Sequence, residues 1–193
     1  GFDRLRVADI KVESGLMEAQ ARQLNRGFLS RVQRGRPWVR VKLGTSLDGR
    51  TAMANGESKW ITGEASRLDV QHWRACSGAL LTGANTVLLD DPSLTVRLGD
   101  DTPFVPPLRV VLDAGLATVA RGKVRDPSAP TLYIHAPDAK PPREIEVQRA
   151  VAPINAGRFD LKAVLELLAA REINEVQVEA GATLAGAFLA AGL

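Results

Sequence analysis

Strand and helix signals that alternate along the chain predict an α/β fold, a three-layer sandwich built on a mostly parallel sheet. Two observations carry that expectation. Short apolar runs such as Ala79-Leu80-Leu81 and Leu108-Arg109-Val110-Val111-Leu112 have the length and composition of buried strands. Between and after them, Glu64 to Ala75 and Leu161 to Arg171 read as helices. A length of 193 residues accommodates one sizeable core, or a core with an appendage. The 45% hydrophobic and 24% charged content is an ordinary globular balance.

Taken in order, Leu5 to Glu13 ends in an alternating strand before Gly15, and residues 1–15 look like the tail of a preceding unit. Met17 to Arg34 reads as one helix, with Ala21, Leu24, Phe28 and Val32 at helical spacing and Gly35 where a C-terminal cap belongs. Val39 to Leu43 alternates with period two, and Asp48-Gly49 is a turn pair before Arg50-Thr51-Ala52-Met53. The helix from Glu64 to Ala75 takes Thr62 as its N-cap. Strands follow at Ala79–Leu81, Leu108–Leu112 and Thr131–Ile134. The helix from Leu161 carries Ala163, Leu167 and Ala170 in one row, and Val164 and Leu168 in another. Val176-Gln177-Val178 is the last strand, and Thr183 to Ala191 a final helix closed by Gly192.

A pI of 9.4 invites a nucleic-acid reading, but the placement of charge argues against it. Residues 1–36 hold eight Lys/Arg and four Asp/Glu, a net of +4 against +3 for the whole chain, which leaves −1 for the remainder. Aromatic residues are few and are not interleaved with basic ones. No apolar run approaches bilayer-spanning length, and charges interrupt the first six residues, so neither a membrane segment nor a signal peptide is expected. A cytoplasmic location follows as the default. Cys76 is the only cysteine in the sequence, so no internal disulfide can form. His72 and His135 have no metal-ligand spacing with it, and no metal is expected. His72 and Cys76, four apart, read as a packed thiol beside a polar histidine.

Two strand-to-loop junctions carry the chemistry. Gly83 to Arg97 follows a buried strand with a glycine, the adjacent carboxylates Asp90 and Asp91, Pro92 and then Arg97. Ligands in open α/β sheets sit outside the carboxyl ends of strands, and a glycine there lets the backbone approach closely. The second junction, Glu179 to Ala187, joins a strand to a helix through Gly181 and Gly186. The first amides of such a helix point outward with the positive end of its dipole behind them, which suits a pyrophosphate. A glycine-rich packing turn has the same spacing. No Lys-Ser or Lys-Thr follows, which argues against a triphosphatase loop. Arg74 and Arg97 suit either a bidentate grip on phosphate or surface ion pairs. Trp60, in a polar context, suits either the core or a flat ligand surface.

Four segments together resemble the reductase domain of the bifunctional deaminase/reductase of riboflavin biosynthesis. They are Arg36 to Ala52, Gly56 to Thr62, Gly83 to Arg97 and Val178 to Ala187, in the family's order and spread across most of residues 36–193. The resemblance implies a dihydrofolate-reductase-like fold. It makes residues 1–35 the tail of an upstream deaminase domain plus a linker helix, and 36–193 the reductase domain. Family members continue with further strands beyond this point, so an apparently truncated C-terminus is expected, and with it doubtful activity of the fragment alone. It implies NADPH-dependent reduction of 5-amino-6-(5-phosphoribosylamino)uracil to the ribitylamino product by a homo-oligomer. NADPH would bind at Gly44, Trp60, Thr86, Asp90 and the run Gly181, Ala182, Thr183, Leu184, Ala185, Gly186 and Ala187. Ser58, Arg74, Leu94, Arg97 and Glu179 would contact the phosphorylated pyrimidine. Lys42, Asp90 and Glu179 are the ionisable groups expected near the hydride acceptor, where a proton donor for the ring oxygen and a stabiliser of a cationic imine are needed. Relatives often carry a small hydroxyl residue where this chain has Ala114, which weakens the expected preference for NADPH over NADH. Dihydrofolate reductase proper and a non-catalytic nucleotide-binding fragment are the alternatives.

Overall fold

The chain enters through three short helices, α1 (Phe2–Val7), α2 (Glu18–Leu24) and α3 (Arg26–Arg34), in a computed structural model that describes residues 1–58, 61–99, 102–140 and 145–193. The strand expected within Leu5–Glu13 does not form. Its first residues are helical, and none of α1 is buried. An alternating pattern becomes a strand only where another strand supplies the ladder, and here none is adjacent. The single helix expected over Met17–Arg34 is divided at Asn25. Its side-chain amide donates to the Ala21 carbonyl at 2.9 Å while its backbone N–H takes the same oxygen at 3.0 Å. Gly35 closes α3 in the left-handed region, as its position predicts.

The apolar stripe that signals this helical stretch is not the face that docks, and Leu24, Phe28 and Val32 are exposed. Contact runs instead through Gly27, where a Cβ would lie 2.5 Å from Glu175 Cγ. Ser30 Oγ adds a hydrogen bond to the Arg36 carbonyl at 2.8 Å, and Arg31 Nε one to Asn174 Oδ1 at 2.7 Å. The helix–sheet distance is set by a missing side chain.

Beyond Arg36 the elements are β1 (Trp38–Lys42), α4 (Glu64–Ala75), β2 (Ala79–Gly83), α5 (Ala84–Asp90), β3 (Leu108–Leu112) and β4 (Thr131–His135). They continue with β5 (Gln148–Val151), a small hairpin of β6 (Ile154–Asn155) and β7 (Arg158–Phe159), α6 (Leu161–Ala169), β8 (Glu175–Glu179) and α7 (Ala182–Ala190). Six strands form one sheet in the order β1-β8-β2-β3-β4-β5, and every neighbouring pair is parallel. One face packs Leu81, Val110, Ile134 and Val178 against Val164, Leu165 and Leu168 of α6 and Phe188 of α7. The other packs Leu80, Val111 and Tyr133 against Val87 of α5 and the loop residues Leu94, Leu116 and Val124. Apolar residues on both faces explain why β2, β3 and β4 read as largely apolar runs. This is the three-layer α/β arrangement that the alternation predicts.

Differences in detail have local causes. Gly63, not Thr62, is the N-cap of α4, and no side chain caps that helix. Asp48-Gly49 makes its turn, with Gly49 N–H on the Ser46 carbonyl at 2.9 Å, but Arg50–Met53 does not become a strand. β5 gives no sequence signal because Gln-Arg-Ala-Val is a polar, largely exposed edge. It is a strand because β4 offers it a ladder. Arg109 is buried inside β3, and burial pushes its guanidinium below its ordinary value. It donates to Thr131 Oγ1 at 2.9 Å and to the carbonyls of Ser93, Lys123, Asp126 and Ala129. One guanidinium therefore pins two loops under the sheet. Cys76 is exposed at the end of α4, and His72 is exposed as well, so the packed thiol is not found. No helix among the described residues is long and apolar enough to cross a membrane.

Candidate active site

In a parallel sheet all strands end on the same edge, so the residues closing β1, β8 and β2 gather without any loop having to bring them together. Lys42 and Glu179 are direct register partners, and so are Arg40 and Gln177 one row lower. They share the face opposite Val176 and Val178, under α4. The β2–β8 register pairs Leu81 with Val178, and its continuation brings Thr82 level with Glu179. The polar face of β1, which carries Arg40 and Lys42, is covered: Arg40 pairs with Glu175 at 3.2 Å and lies 4.1 Å from the centre of the Trp73 ring. Trp73 is half-exposed and stacks on that guanidinium.

Arg74 descends from α4 onto Glu179. Its Nε donates to Oε1 at 2.6 Å and its Nη2 to Oε2 at 2.8 Å, while Nη1 reaches the Thr95 carbonyl at 2.9 Å. Gln177 Nε2 donates to Oε1 at 2.9 Å. Both ion-pair side chains are only 10% exposed. Burial is the largest influence on the Glu179 carboxyl and pushes it up. The bonds and charge of Arg74, the Gln177 amide and the charge of Lys42 outweigh burial together and hold it below the ordinary glutamate value. The group is a carboxylate at neutral pH. Arg74, a candidate for phosphate, has three of its five N–H groups committed within the protein.

The segment 92–97 wraps the same cluster. Leu94 is buried with φ +46°, a conformation strained for leucine, and is flanked by two tethered carbonyls. Arg109 takes Ser93 and Arg74 takes Thr95. Arg97 turns outward, its Nη1 3.4 Å from Ser93 Oγ and its backbone N–H on Gln71 Oε1 at 3.0 Å. Ser58 is exposed, and Trp60 lies outside the described residues.

Beside the charged row, two helices begin at the same edge. Gly181 is the N-cap of α7 and Gly83 that of α5, and neither helix has a side-chain cap. The two junctions adjoin, since a Cβ on Gly83 would meet Leu184 Cδ2 at 3.6 Å. A Cβ on Gly181 or Gly186 would meet nothing within 4 Å. Gly181, Ala182, Thr183 and Gly186 are exposed, Leu184 and Ala187 half-buried, and Ala185 buried. Thr86 is half-buried in the first turn of α5. Asp90 is exposed at that helix's end, and its neighbour Asp91 is occupied by the Lys123 backbone N–H at 2.7 Å. Gly44 lies just past β1, with Thr62 Cγ2 3.8 Å from where its Cβ would stand.

Gln177, Thr82 and Arg109 are buried polar residues that the sequence motifs do not single out. Each is a polar residue inside an apolar strand run, and that interruption is the signal that could have found them.

Fold and site define a parallel α/β domain that presents a charged, buried side-chain cluster and open helix amides on one sheet edge. A family model described as the RibD C-terminal domain matches residues 37–193, and the chain belongs to that family. The riboflavin biosynthesis protein RibD of Escherichia coli (strain K12) is 42% identical over 203 residues, aligned with all of this chain and 55% of its own length. Acinetobacter baumannii RibD, form 1, has a TM-score of 0.82 at 43% identity, covering 98% of this chain and 52% of that one. The diaminohydroxyphosphoribosylaminopyrimidine deaminase/5-amino-6-(5-phosphoribosylamino)uracil reductase of Thermotoga maritima has a TM-score of 0.81 at 32% identity, covering 97% and 51%. The chain spans about half the length of these relatives.

Proposed function

We propose that residues 36–193 form a reductase domain that converts 5-amino-6-(5-phosphoribosylamino)uracil to its ribitylamino product with NADPH, within a riboflavin-biosynthesis enzyme. Residues 1–35 are assigned to the end of a deaminase unit and its linker. The observation that carries this reading is the adjacency of the Lys42–Glu179–Arg74 row to the uncapped start of α7, in a chain similar to a named uracil reductase.

The residues present fit the cofactor. Open space around Gly181 and Gly186, with no side chain capping the helix behind them, suits a diphosphate. Gly181 to Ala187 would hold that group, and Gly44, Trp60, Thr86 and Asp90 would line the rest. When bound, NADPH supplies the hydride for C1′ of the opened ribose. Ionised Glu179 accepts hydrogen bonds and stabilises positive charge, so it is not the acid that protonates the ring oxygen. Its register partner Lys42 is the neighbouring donor. Exposed Arg97 and Ser58 meet the substrate phosphate, together with the two N–H groups that Arg74 keeps free of the protein contacts described above.

The test is turnover by the full-length protein with NADPH and the phosphoribosylaminouracil, read as ribityl product, with dihydrofolate as the competing substrate. Product from the pyrimidine nucleotide and none from dihydrofolate is expected. Turnover of dihydrofolate alone, or NADPH binding with no turnover of either, overturns the reading.

A further inference from the structure

Gln177 is fully buried between Val176 and Val178 on β8, an interior strand flanked by β1 and β2. An amide in such a place is costly unless its polar atoms are used. Its Nε2 donates to Glu179 Oε1, and only the NH2 end of an amide can face a carboxylate, so the chemistry fixes its orientation. Among the described residues its Oε1 has no partner, and neither does Nη1 of Arg40, its register partner on β1. A cost accepted at one end of the side chain is explained by its use at the other.

A carboxylate offers four acceptor positions. On Oε1, Arg74 Nε and the Gln177 amide fill both; on Oε2, Arg74 Nη2 fills one. We propose that Gln177 is a positioning residue for the reaction, fixing Glu179 so that one acceptor position, on Oε2, is left for substrate. This rests on the reading of Glu179 as a substrate-facing group. The charged groups that face the carboxylate are Arg74 from α4 and Lys42 from β1. Gln177 is neutral and adds direction without adding charge.

The experiment compares Gln177→Leu and Gln177→Glu with the wild type, in the full-length protein with NADPH and the pyrimidine nucleotide. The leucine variant loses a donor that favours the charged carboxylate. Its reductase kcat/KM is expected to fall about tenfold, the loss of one hydrogen bond to a charged group, and the acid limb of its pH profile to move up. The glutamate variant sets a second carboxylate against the first, so the pair shares a proton, and its acid limb moves higher still. NADPH affinity is expected to stay within about twofold, since its groups lie elsewhere. The carboxyl 13C titration of Glu179 follows the same order without relying on turnover. An unmoved limb and an unmoved titration overturn the proposal, and if the leucine variant does not fold, the glutamate variant decides alone. Glu179→Gln separates the two readings. Full turnover in that variant overturns the role of Glu179 and this proposal with it. Lost turnover, with unmoved titration in the Gln177 variants, overturns the positioning role only.

Discussion

Glu179 and Gly181 stand two residues apart at the end of one strand, and they solve opposite problems. Glu179 is enclosed: a guanidinium from α4 and an amide from its own strand occupy three of its four acceptor positions. Gly181 is open, with nothing near its missing Cβ and no side chain capping the helix it begins. The first arrangement depends on Arg74, which is 105 residues distant in sequence. The second needs only a strand, a glycine and a helix in succession. A charge buried in the protein must be matched by long-range contacts, whereas a backbone that receives a charged ligand is built locally. Stability should therefore reside in the first and ligand affinity in the second.

The strongest way to break this comparison is Arg74→Ala. It leaves a buried carboxylate with only Gln177 and Lys42, and an unmatched buried charge costs about 3–5 kcal/mol. Urea unfolding at neutral pH measures the loss; a change below about 1 kcal/mol would place the pair with surface ion pairs. The pH dependence gives the sign independently. In the wild type the folded carboxyl lies below the ordinary value of 4.5, so its contribution is complete above that value and is lost as pH falls through the lowered one. Without Arg74, burial dominates and raises the folded carboxyl. The variant should then gain stability as pH falls through the raised value, opposite to the wild type.

Arg97→Ala probes the same segment from its exposed side. Among the described residues its side chain makes one long contact, to Ser93 Oγ, so stability should change by no more than about 0.5 kcal/mol. On the proposed reading the variant loses about 1.5–3 kcal/mol of preference for the phosphorylated substrate over its dephosphorylated analogue. Equal weakening of both forms would mean that Arg97 acts on the loop and not on the phosphate.

Gly181→Val tests the open side. Gly181 has φ −68°, which any residue adopts, and a Cβ there meets no protein atom. The fold should tolerate valine, while NADPH affinity drops at least tenfold, about 1.4 kcal/mol. A folded variant with unchanged NADPH affinity would remove the turn from the cofactor site.

This division also explains what could be read from the sequence. β3 and α4 appear where their patterns put them, because apolar runs and helical spacing are local signals. The open turn at Gly181 was legible for the same reason. The Leu5–Glu13 strand failed because alternation promises a strand only if a partner exists, and β5 was missed because its partner alone makes it one. The enclosed cluster was legible only as a set of residue types. Nothing local reveals that Arg74 meets Glu179, or that Gln177 faces that carboxylate and not an apolar helix. The first contact depends on α4 covering that face of β8. In the second, Gln177 and Glu179 share one face of a single strand, so only the layer packed over that face shows the amide and the carboxylate to be buried together.

The smallest expected effect sharpens the open side further. Ala114 is exposed just past β3, and β3 lies next to the strand that ends at Gly83. Its carbonyl accepts the Ala136 N–H at 3.1 Å, a contact that a new side chain leaves intact. If the cofactor is held through backbone amides alone, discrimination between NADPH and NADH needs some other donor near its adenosine end. A serine hydroxyl at 114 would be one. Ala114→Ser is expected to raise the ratio of NADPH to NADH affinity by about fivefold, near 1 kcal/mol for one added hydrogen bond, with stability unchanged. Titrating both nucleotides against the two proteins measures that ratio directly. An unchanged ratio would show that the β3 end does not reach the cofactor, leaving recognition to the α5 and α7 junctions. A rise in affinity for both nucleotides alike would mean that the hydroxyl touches a group they share, so position 114 would not govern the choice between them.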